Sequence, residues 1–378
     1  MTYFDNAATS VFKPKKVLKA AAYALKHSAN PGRSSHDQAI RTALMIQRTR
    51  EEILNFVHAK HHVVTFTKNC TEALNLALLG TAKLGGHVIT TAFEHNSVLR
   101  PLHMLKKEGL ISLTVLKPTK DGALDVKEIE NAINEKTYLV AVTGMSNVTG
   151  YAPPLTEIGE ICSKYGLLFS VDGAQSLGHE ELDLEKYGVD LLSGAGHKGL
   201  HGAQGTGFLV SNKKVFVNPI EYGGTGTESD KLTQPTLPPE SLESGTLNSV
   251  GIAALAEGIR WTKKHFDKIN GTIREISLLL HEEIGKIQNV ALFSVPGSPI
   301  LTFDVCDKDP GAVADKLNSK YKIAVRSGLH CAPLIHQSLG SDKRGLIRAS
   351  LGCNNTRNDA KALIRAIRAI AAEARSTE

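Results

Sequence analysis

An aspartate and a lysine, each placed directly after an apolar segment, are the most informative residues of this 378-residue chain. Asp172 follows residues 167–171, which have the pattern of a buried strand, and Lys198 follows a strand candidate at 190–192. Ligands of open α/β sheets bind at the carboxyl ends of such strands. A lysine that forms a Schiff base and a carboxylate that keeps a pyridine nitrogen protonated together make a pyridoxal-phosphate site. The sequence therefore predicts that Asp172 and Lys198 hold this cofactor.

Each of these residues also has an ordinary structural explanation. An aspartate after a strand usually caps a turn or a helix, and a lysine usually lies in solvent. The neighbours of Lys198 favour function, because residues 193–202 are rich in glycine. We expect these small residues to let a bulky ligand approach the backbone closely.

A phosphate-binding turn is predicted between the strand candidate at 63–66 and the helix that follows it. Cys70 and Thr71 stand where that helix begins, and the backbone N–H groups of a helix start bind phosphate. Thr71 also has the residue type of a helix cap, which is compatible with a phosphate contact. No G-x-x-x-x-G-K-[ST] nucleotide-binding sequence is present, and the glycine turn at 202–207 is a weak alternative.

Short apolar segments alternate with helical segments from about residue 60 to 210, which predicts an α/β fold. We expect a large domain, residues 16–250, with a mostly parallel sheet covered by helices on both faces. Residues 1–15 and 251–378 would form a smaller α+β domain. Helices are predicted at 155–165, 251–266 and 272–287, and strands of the smaller domain at 300–305, 323–325 and 346–350. A basic amphipathic helix is predicted from Asn358 to the C-terminus.

Composition excludes several classes of protein. The net charge of +6 is dispersed along the chain, unlike the basic stripe of a nucleic-acid-binding protein. The chain start lacks the pattern of a signal peptide, and no apolar run approaches the ~20 residues of a membrane helix. Five cysteines without short paired spacings are typical of reduced thiols in the cytosol. We therefore expect a cytoplasmic protein that binds neither nucleic acid nor membranes.

No metal site is expected. The three histidines at 58, 61 and 62 lie close together in the sequence, but no carboxylate or cysteine completes a ligand set nearby in it. A solvated turn is the favoured explanation for this group.

Beyond these residues, the chain resembles the class V aminotransferase family and, within it, the cysteine desulfurases. The resemblance spans nearly the whole chain, and its motifs occur in the order of the family. They lie at residues 5–9, 71–76, 94–97, 146–150, 171–175, 196–198, 243–248 and 326–332.

The resemblance implies roles for residues around the cofactor, which would be pyridoxal 5'-phosphate. Lys198 would carry it, Asp172 would contact the ring nitrogen, Gln175 the ring hydroxyl, and His95 would stack on the ring. Thr71 and His197 would hold the phosphate, with Cys70 and Asn147 also at the cofactor. Thr246 would reach the phosphate of a neighbouring subunit, which implies a homodimer with shared sites. Asn147, Arg326 and Arg348 would bind the substrate, since arginine offers a carboxylate a bidentate fork.

Two positions depart from the family pattern. A serine or threonine usually precedes the Gly-His-Lys motif and donates to the phosphate, but this chain has Ala195. A Gly-Pro usually follows the lysine, but here the sequence is His201-Gly202-Ala203. His201 is either a new contributor near the site or an ordinary loop residue, and we favour the second.

Cys331 carries the assignment of the reaction. The other four cysteines, at 70, 162, 306 and 353, are expected to be buried small hydrophobes, which is the usual role of a free cysteine. The resemblance places the loop of Cys331 beside the cofactor, where the adjacent His330 and arginines would favour its thiolate. His95 and Lys198 would carry protons. This short loop is similar to that of family members that pass a persulfide to a dedicated acceptor protein.

The predicted reaction converts L-cysteine to L-alanine and leaves a persulfide on Cys331. A selenocysteine lyase or another carbon–sulfur lyase is an alternative, because the same residues act on related substrates. A non-catalytic scaffold with the same fold is an alternative of another class. The presence of Asp172, Lys198, Cys331 and Arg348 argues against a scaffold.

Overall fold

The computed structural model describes residues 1–31 and 35–373. Its helices and strands are numbered along the chain. The strands are β1 (Thr2–Tyr3), β2 (His62–Thr67), β3 (Gly86–Thr91), β4 (Ile111–Leu116), β5 (Thr137–Thr143), β6 (Leu168–Asp172), β7 (Leu191–Ala195), β8 (Gly207–Asn212), β9 (Val290–Leu292), β10 (Ile300–Val305), β11 (Ile323–Ala324), β12 (Arg326–Gly328) and β13 (Leu346–Ser350). The α-helices are α1 (Lys15–His27), α2 (Asp37–Phe56), α3 (Cys70–Gly80), α4 (Asn96–Lys107), α5 (Val126–Ala132), α6 (Leu155–Tyr165), α7 (Leu184–Tyr187), α8 (Ser249–Gly285), α9 (Pro310–Ser319), α10 (Pro333–Ser338) and α11 (Arg357–Ala372).

A seven-stranded sheet in the order β2-β8-β7-β6-β5-β3-β4 forms the large part of the molecule. β8 runs antiparallel to both of its neighbours, β2 and β7, and the other neighbouring pairs of this sheet are parallel. The parallel pairing of β5, β6 and β7 brings the carboxyl ends of these strands to one edge of the sheet. The α/β fold with a mostly parallel sheet is therefore confirmed.

Helices cover both faces of this sheet, because successive side chains of a strand point to opposite faces. Val88 of β3 and Leu139 of β5 pack with α3 and α4 in one hydrophobic cluster. Their chain neighbours Ile89 and Val140 pack with α2, α6 and α8 in another. This two-sided burial explains why the strands are apolar throughout rather than alternating.

The C-terminal part contains a four-stranded antiparallel sheet in the order β12-β13-β10-β9. A separate core lies beneath it, formed by α8, α9, α11 and the buried side chains of β10 and β13. The chain start joins this part, because β1 pairs with β11. The predicted domain boundaries stay a prediction, since α8 begins in the first core and ends in the second.

Two details of the sequence prediction were wrong. The helices expected at 251–266 and 272–287 are one continuous helix, α8. Asn270 and Gly271 favour a break, at a cost of about 1 kcal/mol for glycine. Burial of Ile269 and Ile273 on either side holds the helix together, and the Asn270 side chain donates to Gly178 O at 3.2 Å.

The strand expected at 323–325 divides between two sheets. β11 pairs with β1, whereas β12 begins after Val325 and pairs with β13. The division matters for the site, because β12 leads directly into the loop of Cys331.

Leu280→Ala in α8 tests the second core. The Leu280 side chain is fully buried, and its removal leaves a cavity that should lower the free energy of unfolding by about 2–5 kcal/mol. Leu278→Ala on the same helix is the matched control, because that side chain is 46% exposed. Urea unfolding of both variants is the measurement. Equal losses would contradict the assignment of the buried face of α8.

Candidate active site

Lys198 lies in the loop that follows β7, next to the carboxyl end of β6. Lys198 is half-buried, and burial lowers the pKa of its amine below its usual value. The nearby Asp172 favours the charged amine, whereas Arg348 and Arg326 disfavour it. The two residues expected to hold the cofactor, Asp172 and Lys198, are therefore brought together.

Other backbone segments pack closely on the glycines around Lys198. A Cβ on Gly199 would lie 2.3 Å from Leu177 O, and one on Gly196 would lie 2.9 Å from Thr206 O. These glycines allow backbone segments to pack closely against each other. Their role is to hold the loop of Lys198 firmly against the sheet.

The Asp172 carboxylate accepts two hydrogen bonds from its surroundings. Its Oδ1 accepts from the backbone N–H of Ala174 at 2.9 Å and from the Cys70 thiol at 3.5 Å. Burial raises the pKa of the Cys70 thiol well above its usual value, so this thiol stays protonated and donates. Cys70 thus contacts the carboxylate of Asp172.

A chain of hydroxyls links the start of α3 to the imidazole of His95. The Thr71 and Ser97 hydroxyls are 2.8 Å apart, and the Ser97 hydroxyl is 2.9 Å from His95 Nδ1. His95 also caps α4, because its Nδ1 accepts from the backbone N–H of Ser97 at 3.1 Å. Burial lowers the pKa of His95, which favours a neutral ring.

The N-terminal segment closes another side of the site. The hydroxyl of Thr9 is 3.0 Å from His197 Nδ1, and Lys13 Nζ donates to His197 O at 3.2 Å. Gln175 Nε2 donates to Ala7 O at 2.9 Å. Burial lowers the pKa of His197 to about 4 and that of Lys13 to about 8.

Arg348 of β13 is almost wholly buried and joins three parts of the chain. It donates to the Asp5 carboxylate at 3.1 Å and to Asn147 O at 3.0 Å. The Asn147 side chain donates in turn to His330 O at 2.7 Å. Within the described residues, Arg348 Nε is buried and has no hydrogen-bond partner.

Cys331 is exposed and lies on a strained turn. His330 and Cys331 have φ angles of 50° and 57°, in the left-handed region that residues other than glycine rarely adopt. The backbone N–H of Asn96, next to His95, donates to Cys331 O at 2.7 Å and ties this turn to the start of α4. The Arg326 guanidinium is 3.9 Å from the Cys331 sulfur.

The expectation that His330 supports the Cys331 thiolate was wrong. Burial lowers the pKa of His330 to about 2, so its ring is neutral at physiological pH. The ring contacts Arg326 O at 3.3 Å and stacks on the ring of His336. It therefore does not supply a positive charge to the Cys331 sulfur. Arg326 is the cation at the sulfur.

Thr246 is exposed on the loop before α8. In the parts of the chain that the structure describes, no hydrogen bond or ion pair joins it to Lys198 or Asp172. Its loop is held by Glu243, whose carboxylate pairs with Arg50 at 2.7 Å and accepts from the backbone N–H of Phe66 at 2.6 Å.

The ring of His201 is buried against Phe12 and Trp261, and its backbone N–H donates to Lys198 O at 3.0 Å. It is a packed residue of the loop, the interpretation favoured from the sequence.

Several other expectations are corrected. Cys306 is exposed and Cys353 is partly exposed, so neither is a fully buried hydrophobe. His62 is a buried residue of β2, not part of a solvated turn, and its Nε2 donates to Val189 O at 2.8 Å. Within residues 1–31 and 35–373, no group of three potential ligands could hold a metal ion.

Sequence reasoning missed Asp5, Ser10, Lys13 and Ser97. Asp5 and Ser97 lie inside motifs 5–9 and 94–97, which was the available signal for them. Ser10 and Lys13 had none, because their contacts with His197 O join segments far apart in the sequence.

The mostly parallel sheet and the half-buried lysine beside a carboxylate at its edge define a fold type I transferase. The class-V aminotransferase family model matches residues 2–363. A "probable cysteine desulfurase" of Pyrococcus abyssi is 33% identical, over 100% of this chain and 96% of that protein. One of Methanothermobacter thermautotrophicus is also 33% identical, over 96% and 92%.

Comparison with solved structures leads to the same family. The apo structure of a cysteine desulfurase from Thermococcus onnurineus has a TM-score of 0.92 and 32% identity, covering 98% of this chain and 94% of that one. The cysteine desulfurase CsdA of Escherichia coli, in an S-sulfonic acid form, has a TM-score of 0.87 and 27% identity, covering 97% and 93%. The chain belongs to the cysteine desulfurase family of class-V aminotransferases. In the described residues, no helix is long and apolar enough to span a membrane.

Glu243→Ala tests the buried ion pair that holds the loop of Thr246. Removing one partner of a buried pair leaves Arg50 without its charge partner and should lower the free energy of unfolding by about 3–5 kcal/mol. Glu275→Ala is the control, because the pair of Glu275 with Arg357 is exposed and should contribute no more than about 1 kcal/mol. Denaturant unfolding of both variants is the measurement. Similar losses would show that the Arg50–Glu243 pair does not anchor the loop.

Proposed function

We propose that this chain is a cytoplasmic, homodimeric, pyridoxal-phosphate-dependent cysteine desulfurase that forms a persulfide on Cys331 and passes the sulfur to an acceptor protein. The observation that carries this proposal is the placement of an exposed Cys331 beside the site of Lys198. Its strained turn is tied to the residue after His95, and Arg326 is near its sulfur.

The residues present fit pyridoxal phosphate. The lowered pKa of Lys198 favours the uncharged amine that a Schiff base needs. Asp172 offers a carboxylate nearby, with one oxygen already held by Ala174 and Cys70. When bound, the cofactor would supply an electron sink for the bonds at the substrate α-carbon. Thr71 and His197 would hold its phosphate and Gln175 its ring hydroxyl.

The carboxylate of L-cysteine would bind at Arg348. Arginine suits a carboxylate because its guanidinium is a planar donor fork, and Asp5 keeps the guanidinium of Arg348 oriented. Asn147 couples the arginine to the turn of Cys331, because its backbone O accepts from Arg348 while its side chain donates to His330 O. Substrate binding and placement of the nucleophile therefore depend on one hydrogen-bond network.

The sulfur step needs no oxidant beyond the substrate itself. The Cys331 thiolate attacks the substrate sulfur, so an S–S bond forms while the substrate Cβ–S bond breaks. The electron pair of that bond remains on carbon, which then takes a proton and leaves as alanine. Lys198 and His95 are the groups placed to carry protons, and the guanidinium of Arg326 favours the thiolate.

A homodimer would give a role to Thr246, which is exposed and has no hydrogen bond to Lys198 within the described residues of its own subunit. Large apolar side chains are exposed on the neighbouring segment, a feature of protein interfaces. They are Phe216, Ile220, Tyr222, Leu232 and Leu237. In the dimer, Thr246 would contact the phosphate held by the partner subunit.

Transfer of sulfur to an acceptor protein is supported by the exposure of Cys331. The cytoplasmic location is supported by the five free cysteines of the chain, which suit a reducing compartment. The names of the relatives favour cysteine over selenocysteine or another carbon–sulfur substrate. Turnover of L-cysteine by the purified protein would exclude a non-catalytic scaffold.

Cys331→Ser tests the nucleophile. The variant should bind pyridoxal phosphate with the visible absorption of the wild type, while release of alanine and sulfide from L-cysteine should fall by at least about 100-fold, because reactivity follows the thiolate. Cys306→Ser is the matched control, since it alters another exposed thiol and should keep full activity. Wild-type turnover by the Cys331 variant would refute the persulfide mechanism.

Mixed dimers test whether Thr246 acts in the partner's site. Thr246→Ala and Lys198→Ala homodimers should each retain pyridoxal phosphate poorly. A dimer with one subunit of each kind should recover one intact site, because the wild-type Lys198 of one subunit meets the wild-type Thr246 of the other. Visible absorption and alanine release of the purified mixed dimer are the measurements. No recovery would mean that Thr246 acts within its own subunit or not at all.

A further inference from the structure

Ser97 lies between two residues of the site, Thr71 and His95, but takes no part in the sulfur step. Its side chain is buried, and its hydroxyl lies 2.8 Å from the Thr71 hydroxyl and 2.9 Å from His95 Nδ1. Its own backbone N–H also points to His95 Nδ1, at 3.1 Å.

That backbone N–H sets the direction of every hydrogen bond in the group. A backbone amide can only donate, so His95 Nδ1 must accept and carries no hydrogen. The Ser97 hydroxyl, also within reach of Nδ1, must then donate to it. The free lone pairs of Ser97 accept from the Thr71 hydroxyl. A neutral His95 therefore carries its hydrogen on Nε2.

We propose that Ser97 is a positioning residue that fixes the tautomer and orientation of the His95 ring and couples them to the phosphate contact of Thr71. The roles of Thr71 and His95 rest on the proposed function. The hydrogen-bond directions do not, because they follow from the donor set alone. The imidazole of His95 can therefore donate a hydrogen bond from Nε2.

The pKa of His95 is expected to depend on the hydrogen bond from Ser97, so titration of His95 can detect that bond. A proton at Nδ1 must displace the donating Ser97 hydroxyl, so Ser97 adds to the effect of burial, which already lowers the pKa of His95. The charged groups that act on the ring are Asp172, which raises the pKa, and Lys198, Arg326 and Arg348, which lower it. None of them changes when Ser97 is replaced.

The first test uses the apo protein with ¹⁵N-labelled histidine. Long-range ¹H–¹⁵N spectra read the tautomer and the titration midpoint of His95, whose signals are assigned by their loss in His95→Asn. We expect Nδ1 to be unprotonated in the wild type. In Ser97→Ala the midpoint should move to higher pH, and in Ser97→Thr, which keeps a hydroxyl, it should stay near the wild-type value. A protonated Nδ1 in the wild type, or an unmoved midpoint in Ser97→Ala, would overturn the proposal.

The second test is titration with pyridoxal phosphate, followed by visible absorption. Loss of one hydrogen bond in the chain to Thr71 should weaken binding about three- to tenfold in Ser97→Ala, with Ser97→Thr within about twofold of the wild type. Wild-type affinity in Ser97→Ala would overturn the coupling to Thr71. A wild type that binds no pyridoxal phosphate would instead refute the proposed function, while the spectra of the apo protein would still decide the role of Ser97.

Discussion

Burial of the Lys198 amine at the edge of the parallel sheet is the constraint on which the rest of the site depends. A charged amine is costly to bury without a partner, so burial favours the neutral form. The charged neighbours act on the pKa of Lys198 in opposite directions. Asp172 favours the charged amine, whereas Arg326 and Arg348 disfavour it. The lowered pKa favours the uncharged, nucleophilic amine, and glycines packed against backbone hold the loop of Lys198 in place.

A second constraint is the single network that extends from the chain start to the nucleophile. Asp5 orients Arg348, Arg348 holds the backbone of Asn147, and Asn147 holds His330 next to Cys331. The left-handed conformation of His330 and Cys331 persists because these contacts and the bond from Asn96 stabilise it. The site is thus assembled across both sheets, and the N-terminal segment is part of it.

Local signals in the sequence were sufficient for much of the fold and for the central residues. Strands apolar on both faces predicted the parallel sheet, and the strand ends located Asp172 and Lys198. Competing energies explain the failures. Two helices were expected where α8 is continuous, because burial of Ile269 and Ile273 outweighs the weak helix propensity of Asn270 and Gly271. The charge of His330 was misjudged because burial of its ring is a tertiary property. The contacts of Lys13 and Ser97 likewise depend on segments that meet only in the folded chain.

The most direct test of the account is to find which lysine carries the cofactor. The wild-type protein would be incubated with pyridoxal phosphate, reduced with borohydride and digested, and the modified peptide identified by mass spectrometry. Lys13 is the informative rival, since burial also lowers its pKa, to about 8, and it lies against His197. We expect stoichiometric modification of Lys198, with Lys13 unmodified. Modification of Lys13, or no borohydride-stable link at Lys198, would contradict it.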